Sequence, residues 1–103
     1  MEIQKAIALL CQALTDSYNQ FSPQFAGRSQ FEVEPGRKYL KIVAVLSGQR
    51  SVHAFVDKAT GQVFKPASWK APAKGARYNL LDDSSLNLCL SRADWAGNYL
   101  YAR

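Results

Sequence analysis

The chain has 103 residues, 48% of them hydrophobic, and 13 Lys and Arg against 8 Asp and Glu leave a formal charge of +5. That size suits one domain, 1–103, with a single core; it argues against two and leaves oligomerisation useful for stability. The charge points to an anionic partner or simply to solubility, and no apolar run approaches the roughly 20 residues of a membrane span, so the expectation is a soluble protein with no membrane partner.

Ile3, Ala6, Ile7, Leu10, Ala13, Leu14, Tyr18 and Phe21 recur at helical spacing and predict one amphipathic helix over about residues 2–20, stopped by Asn19, Ser22 and Pro23. A loop through Phe25-Ala26-Gly27-Arg28-Ser29 leads to the alternating strand Phe31–Glu34, and Pro35-Gly36 turns the chain. Tyr39–Leu46 is rich in strand formers. Ser47–Arg50 reads as a hairpin turn into Ser51–Asp57, where alternation puts Val52, Ala54 and Val56 on one face and His53 and Phe55 on the other.

Lys58-Ala59-Thr60-Gly61 fits a hairpin connection into Gln62-Val63-Phe64, with Gly61 supplying positive φ. Asp82 to Ser85 can cap a helix over about Ser84–Arg92, and Gly97 turns the chain into the aromatic tail. The predicted fold is α+β: an antiparallel β-meander of three to four strands with a long N-terminal helix and a short C-terminal helix. One sheet face is then left without a helix to cover it. A second copy of the chain would serve, and Tyr78, Trp95, Tyr99 and Tyr101 suit either such an interface or the core of the monomer.

Cys11 and Cys89 lie far apart and lack metal-ligand spacing, so neither a zinc site nor a disulfide framework is expected; buried thiols in a reducing cytoplasm are. Glu2 and Lys5 interrupt any secretory leader. Catalysis is hard to assemble. His53 is the lone histidine and sits mid-strand, Asp82 and Asp83 resemble a helix cap more than an acid–base pair, and no nucleophile elbow or phosphate-cradling glycine loop occurs. No enzyme, cofactor or metal is expected.

The stretch Lys65–Asn79 is the richest in chemistry. It sets Lys65, Lys70, Lys74, Arg77, Trp69 and Asn79 among small residues and two prolines, and no acid occurs between Asp57 and Asp82. Cations suit phosphate, an exposed indole suits base stacking, and an asparagine suits a base edge; a nucleotide presents all three complements. The same stretch equally describes a solvated connection whose tryptophan packs on the core.

Arg50–Asp57 followed by Thr60–Lys74 resembles a block found in small bacteriophage proteins, and within them is similar to the anti-Thoeris sponge family, the first described Thoeris anti-defence type. The resemblance covers roughly residues 50–80. It implies a non-enzymatic protein of the infected bacterial cytoplasm that binds and sequesters cyclic ADP-ribose isomers, and in some members cyclic oligonucleotides, as a dimer or larger homo-oligomer. It places Trp69 and Asn79 at ligand-contacting positions, and charge chemistry adds Arg50, Lys70, Lys74 and Arg77 as candidate phosphate partners. The alternative is a small phage nucleic-acid-binding protein using the same basic face. An inhibitor docking on an acidic host protein is a third reading.

Overall fold

The structure, a computed structural model, describes residues 2–25, 27 and 30–101. Of the expected loop 25–29, Ala26, Arg28 and Ser29 lie outside the described residues. The chain folds as α1 (Ile3–Phe21), β1 (Gln30–Pro35), β2 (Tyr39–Leu46), β3 (Gln49–Asp57), β4 (Gln62–Phe64), β5 (Tyr78–Asn79) and α2 (Asp83–Arg92), with short 3-10 turns at Pro23–Phe25 and Asn98–Leu100. All neighbouring strands are antiparallel, in the order β1-β2-β3-β4-β5. The fold is therefore the expected α+β meander between two helices. Its fifth strand, only two residues long, was not legible in the sequence.

The helix forms where the apolar period of 3.6 places Ala6, Ile7, Leu10 and Leu14 on one stripe, and all four are buried. That stripe belongs to one core cluster with Phe31, Ile42, Ala44, Ala54, Val56, Val63, Tyr78 and Leu80 of the strands, Leu86 and Cys89 of α2, and Tyr99 and Leu100. Both cysteines are free thiols, and burial pushes their pKa up, Cys11 to about 11 and Cys89 to about 12, so neither supplies a thiolate at neutral pH.

The hairpin between β3 and β4 follows the expected chemistry. Asp57 Oδ1 accepts from the backbone N–H of Thr60 (3.1 Å) and of Ala59 (2.8 Å), which holds its carboxylate below the usual range. Gly61 has φ +77°, and a Cβ there would lie 2.6 Å from Leu81 Cγ, so both conformation and space require glycine. Asp82 caps α2 by accepting from Ser85 N–H at 2.9 Å.

One strand departs from its expected facing. Ile42 pairs with Ala54 but Val43 pairs with Val52, so His53 is the extra residue of a β-bulge. His53 turns to the core side, its ring edge-on to Phe31 at 5.2 Å and stacked on Tyr99 at 5.6 Å. Val52 follows Val43 to the opposite face. The alternation expected for Ser51–Asp57 is thus corrected from His53 back, at His53 and Val52 alike, because one inserted residue reverses the facing of every side chain on one side of it.

The aromatic tail divides. Tyr78 and Tyr99 are buried in the chain's own core, with Tyr78 Oη donating to the Tyr99 carbonyl at 2.9 Å. Trp95 is half-buried between Tyr18 and Phe21, whose ring centroids lie 5.2 and 4.6 Å away. Tyr101 stays exposed.

A cationic and aromatic cleft on the sheet

The residues that lie opposite one another on the face away from α1 include Glu34 with Lys41, Lys41 with Phe55, and Phe55 with Phe64. Tyr39 stands edge-on to both Phe55 (5.9 Å) and Phe64 (6.0 Å), making an aromatic floor. The turn between β1 and β2 adds Arg37 and Lys38. Lys38 Nζ sits 5.4 Å from the Tyr39 ring centroid.

The loop after β4 closes this region from the other side. It is an ordered excursion, in which Pro66 bridges to Pro72, the N–H groups of Ala67 and Ser68 donate to the Ala71 carbonyl, and Ala73 N–H donates to the Lys65 carbonyl. Ser68 Oγ accepts from the N–H of Lys70 and of Ala71, both at 3.2 Å, and so shapes the tip. That tip presents Trp69, 41% exposed, and Lys70.

The result is a cleft of about 290 Å³ lined by Arg37, Lys38, Tyr39, Lys41, Phe55 and Lys70, with Glu34 as its one carboxylate. Lys41 is its hinge point. The ammonium lies 4.1 Å from the Trp69 ring centroid, 5.9 Å from that of Phe55 and 3.9 Å from Glu34 Oε1. Four cations against one carboxylate leave the cleft cationic, and a planar anion could stack on the accessible indole while its charge met Lys41 and Lys70.

The structure separates the residues expected to act together. Lys70 lines the cleft, and Trp69 stands beside it, in contact with the Lys41 ammonium and outside the lining itself. Arg77 and Asn79 instead line a different, open groove of about 490 Å³ with Gln62, Tyr78, Asp82 and Ser85. There the Asn79 side chain is already engaged, since Oδ1 accepts from Leu81 N–H at 2.9 Å, while its backbone N–H donates to Ser85 Oγ at 2.7 Å. Arg77 Nε is buried without a hydrogen-bond partner among the described residues. Arg50 is committed to Glu32 and Glu34; the hydrogen bond to Glu32 (2.7 Å) is the larger cause that strengthens its hold on the proton. Lys74 is exposed and lines neither cavity.

Lys38, Lys41, Arg37 and Tyr39 were missed by sequence reasoning. Their signal was the lone lysine inside the apolar run Tyr39–Leu46 and the two cations directly before it. Among the described residues no group of three or more His, Cys, Asp or Glu could hold a metal ion, and no helix is long and apolar enough to cross a membrane.

Fold and cleft together define a small α+β protein with a cationic cleft floored by aromatic rings. The chain belongs to the Family of unknown function (DUF7717), whose model matches residues 1–102. No curated protein and no solved structure matches it.

Proposed function

We propose that the protein is a non-enzymatic nucleotide binder that sequesters a small cyclic nucleotide signal, of the cyclic ADP-ribose or cyclic oligonucleotide class, in the cationic and aromatic cleft. The observation that carries this reading is Lys41, which lines the cleft with Arg37, Lys38 and Lys70 and sets its Nζ 4.1 Å from the Trp69 ring at the cleft's edge. A base stacks on the indole, and phosphate takes Lys41 and Lys70, displacing the weak contact of Lys41 with Glu34. The likeness of residues 50–80 to the anti-Thoeris sponge block supports the same ligand class, and a phage origin and action in the infected bacterial cytoplasm go with it.

Lys74 and Arg77 lie outside the cleft, and that favours a second reading in which a nucleic-acid strand crosses several cations in turn. Titration of the purified protein with a cyclic ADP-ribose isomer, a cyclic dinucleotide and AMP, read by tryptophan fluorescence, tests the first reading. Ligand released by heating is then weighed by mass spectrometry. Binding of a cyclic nucleotide with intact recovery is expected; a processed product, or no binding to any of the three, overturns sequestration.

A further inference from the structure

A second cavity, of about 270 Å³, opens beside the β-bulge, with Leu46, Pro66, Trp95, Leu100 and Tyr101 in its walls and His53 on its inner side. Among the described residues no charged side chain lines it, though Lys65 Nζ stands 4.7 Å from the ring centroid of the wall residue Tyr101.

The hydrogen positions at its inner side follow from bookkeeping. Tyr99 is buried, and burial drives its pKa far up, so the hydroxyl keeps its proton at neutral pH and must place it on an acceptor. Among the described residues its hydroxyl has one partner, His53 Nε2 at 2.8 Å. Tyr99 therefore donates and Nε2 accepts. Burial also keeps the imidazole neutral, its pKa pushed down to about 4, and a neutral imidazole that accepts at Nε2 carries its proton on Nδ1.

No described residue takes that Nδ1–H. It faces Gly97, and both His53 and Gly97 line the cavity. Gly97 keeps this edge open. Its φ is +84°, and a Cβ there would stand 4.0 Å from Nδ1 and 3.7 Å from Cε1.

We propose that this cavity is a second ligand site, independent of the cationic cleft, for a small neutral planar molecule whose acceptor oxygen or nitrogen takes the hydrogen bond of His53 Nδ1 while its ring packs beside Trp95 and Tyr101. With no charged side chain in the described lining, an ionised ligand would be desolvated without a direct ion pair, which favours a neutral one. The unpartnered N–H selects for an acceptor over a plain hydrocarbon. The walls supply apolar and aromatic contact.

The test uses the whole protein, with indanone, a neutral bicyclic ketone, and indane, the same skeleton without the carbonyl. Imidazole nitrogen NMR of the free protein is expected to find His53 protonated at Nδ1, and indanone should shift that nitrogen. Indanone should bind about three- to tenfold more tightly than indane. Ser51→Trp, at an exposed position on the rim, should remove indanone binding. A proton found on Nε2, equal affinity for the two probes, no binding of either, or unchanged binding by the Ser51→Trp protein would each overturn the site. None of these outcomes depends on whether nucleotides bind the cationic cleft.

Discussion

Lys41 and Trp69, which are 28 positions apart in the chain, meet with the ammonium 4.1 Å from the indole centroid, where the loop after β4 reaches back to strand β2. A cation held over an aromatic face at the mouth of a basic cleft is placed to meet a ligand that carries both a ring and a negative charge.

The Lys41–Trp69 pair is expected to act as a unit in binding. Trp69→Ala should weaken cyclic nucleotide affinity by about 1–3 kcal/mol, and Lys41→Ala by a similar amount, since a hydrogen bond to a charged partner is lost. Because the two side chains touch, the double variant should lose less than the sum. Trp69 is 41% exposed, so its removal should cost about 1 kcal/mol of stability or less. Isothermal titration beside thermal unfolding checks both; a strongly destabilised Trp69→Ala protein with unchanged affinity would return Trp69 to a packing role.

Arg77 gives the opposite expectation. The sequence made it one of four candidate phosphate partners, but it lines the groove beside β5 and not the cleft lined by Lys41 and Lys70. Arg77→Ala should leave small-nucleotide affinity within about twofold, as a change remote from the ligand does, while Lys70→Ala lowers it. If the protein instead binds a nucleic-acid strand, Lys70, Lys74 and Arg77 should each cost a similar modest amount, with the salt slope falling by about one per charge removed. Titrations of a short DNA duplex and a cyclic nucleotide at two salt concentrations separate the two patterns.

Stability should fall with acid through His53. Burial pushes its pKa down from an ordinary 6.5 to about 4, against a smaller raising field from Asp94. The unfolded chain therefore binds a proton at a pH where the folded protein does not. The contribution is fully present above pH 6.5 and is lost as pH falls toward 4, on the order of 3 kcal/mol over that window. Urea unfolding at several pH values, compared with His53→Leu, measures it. Parallel pH profiles for the two proteins would show that the imidazole is not the titrating group.

The homo-oligomer expected from the sequence is a further proposal. Leu9 and Phe21 on α1 and Leu88 on α2 stay exposed, Phe21 by 65%, so large apolar side chains are available to a second copy. Light scattering at tens of micromolar is expected to give at least a dimer, and Phe21→Glu or Leu88→Glu to shift it toward monomer. A monomeric wild-type protein, with or without nucleotide, removes the shared-interface idea.

What the sequence determined by itself was local. The 3.6-residue stripe from Ile3 to Phe21, the Asp57–Gly61 hairpin and the Asp82 cap rest on contacts within a few residues, so period, turn chemistry and capping were enough to find them. Only the tertiary structure decided the rest. His53 turned inward because β3 carries one residue more than β2 across from it, and a bulge is a property of the pair and not of either strand. The block Lys65–Asn79 read as one site, yet its hydrogen-bonded tip delivered Trp69 and Lys70 to β2 while Tyr78 and Asn79 paired with β4, carrying Arg77 away. Residues close in sequence were parted, and Lys41 was recruited from afar, because sheet register sets which side chains share a face and no short window of sequence contains both partners of that pairing.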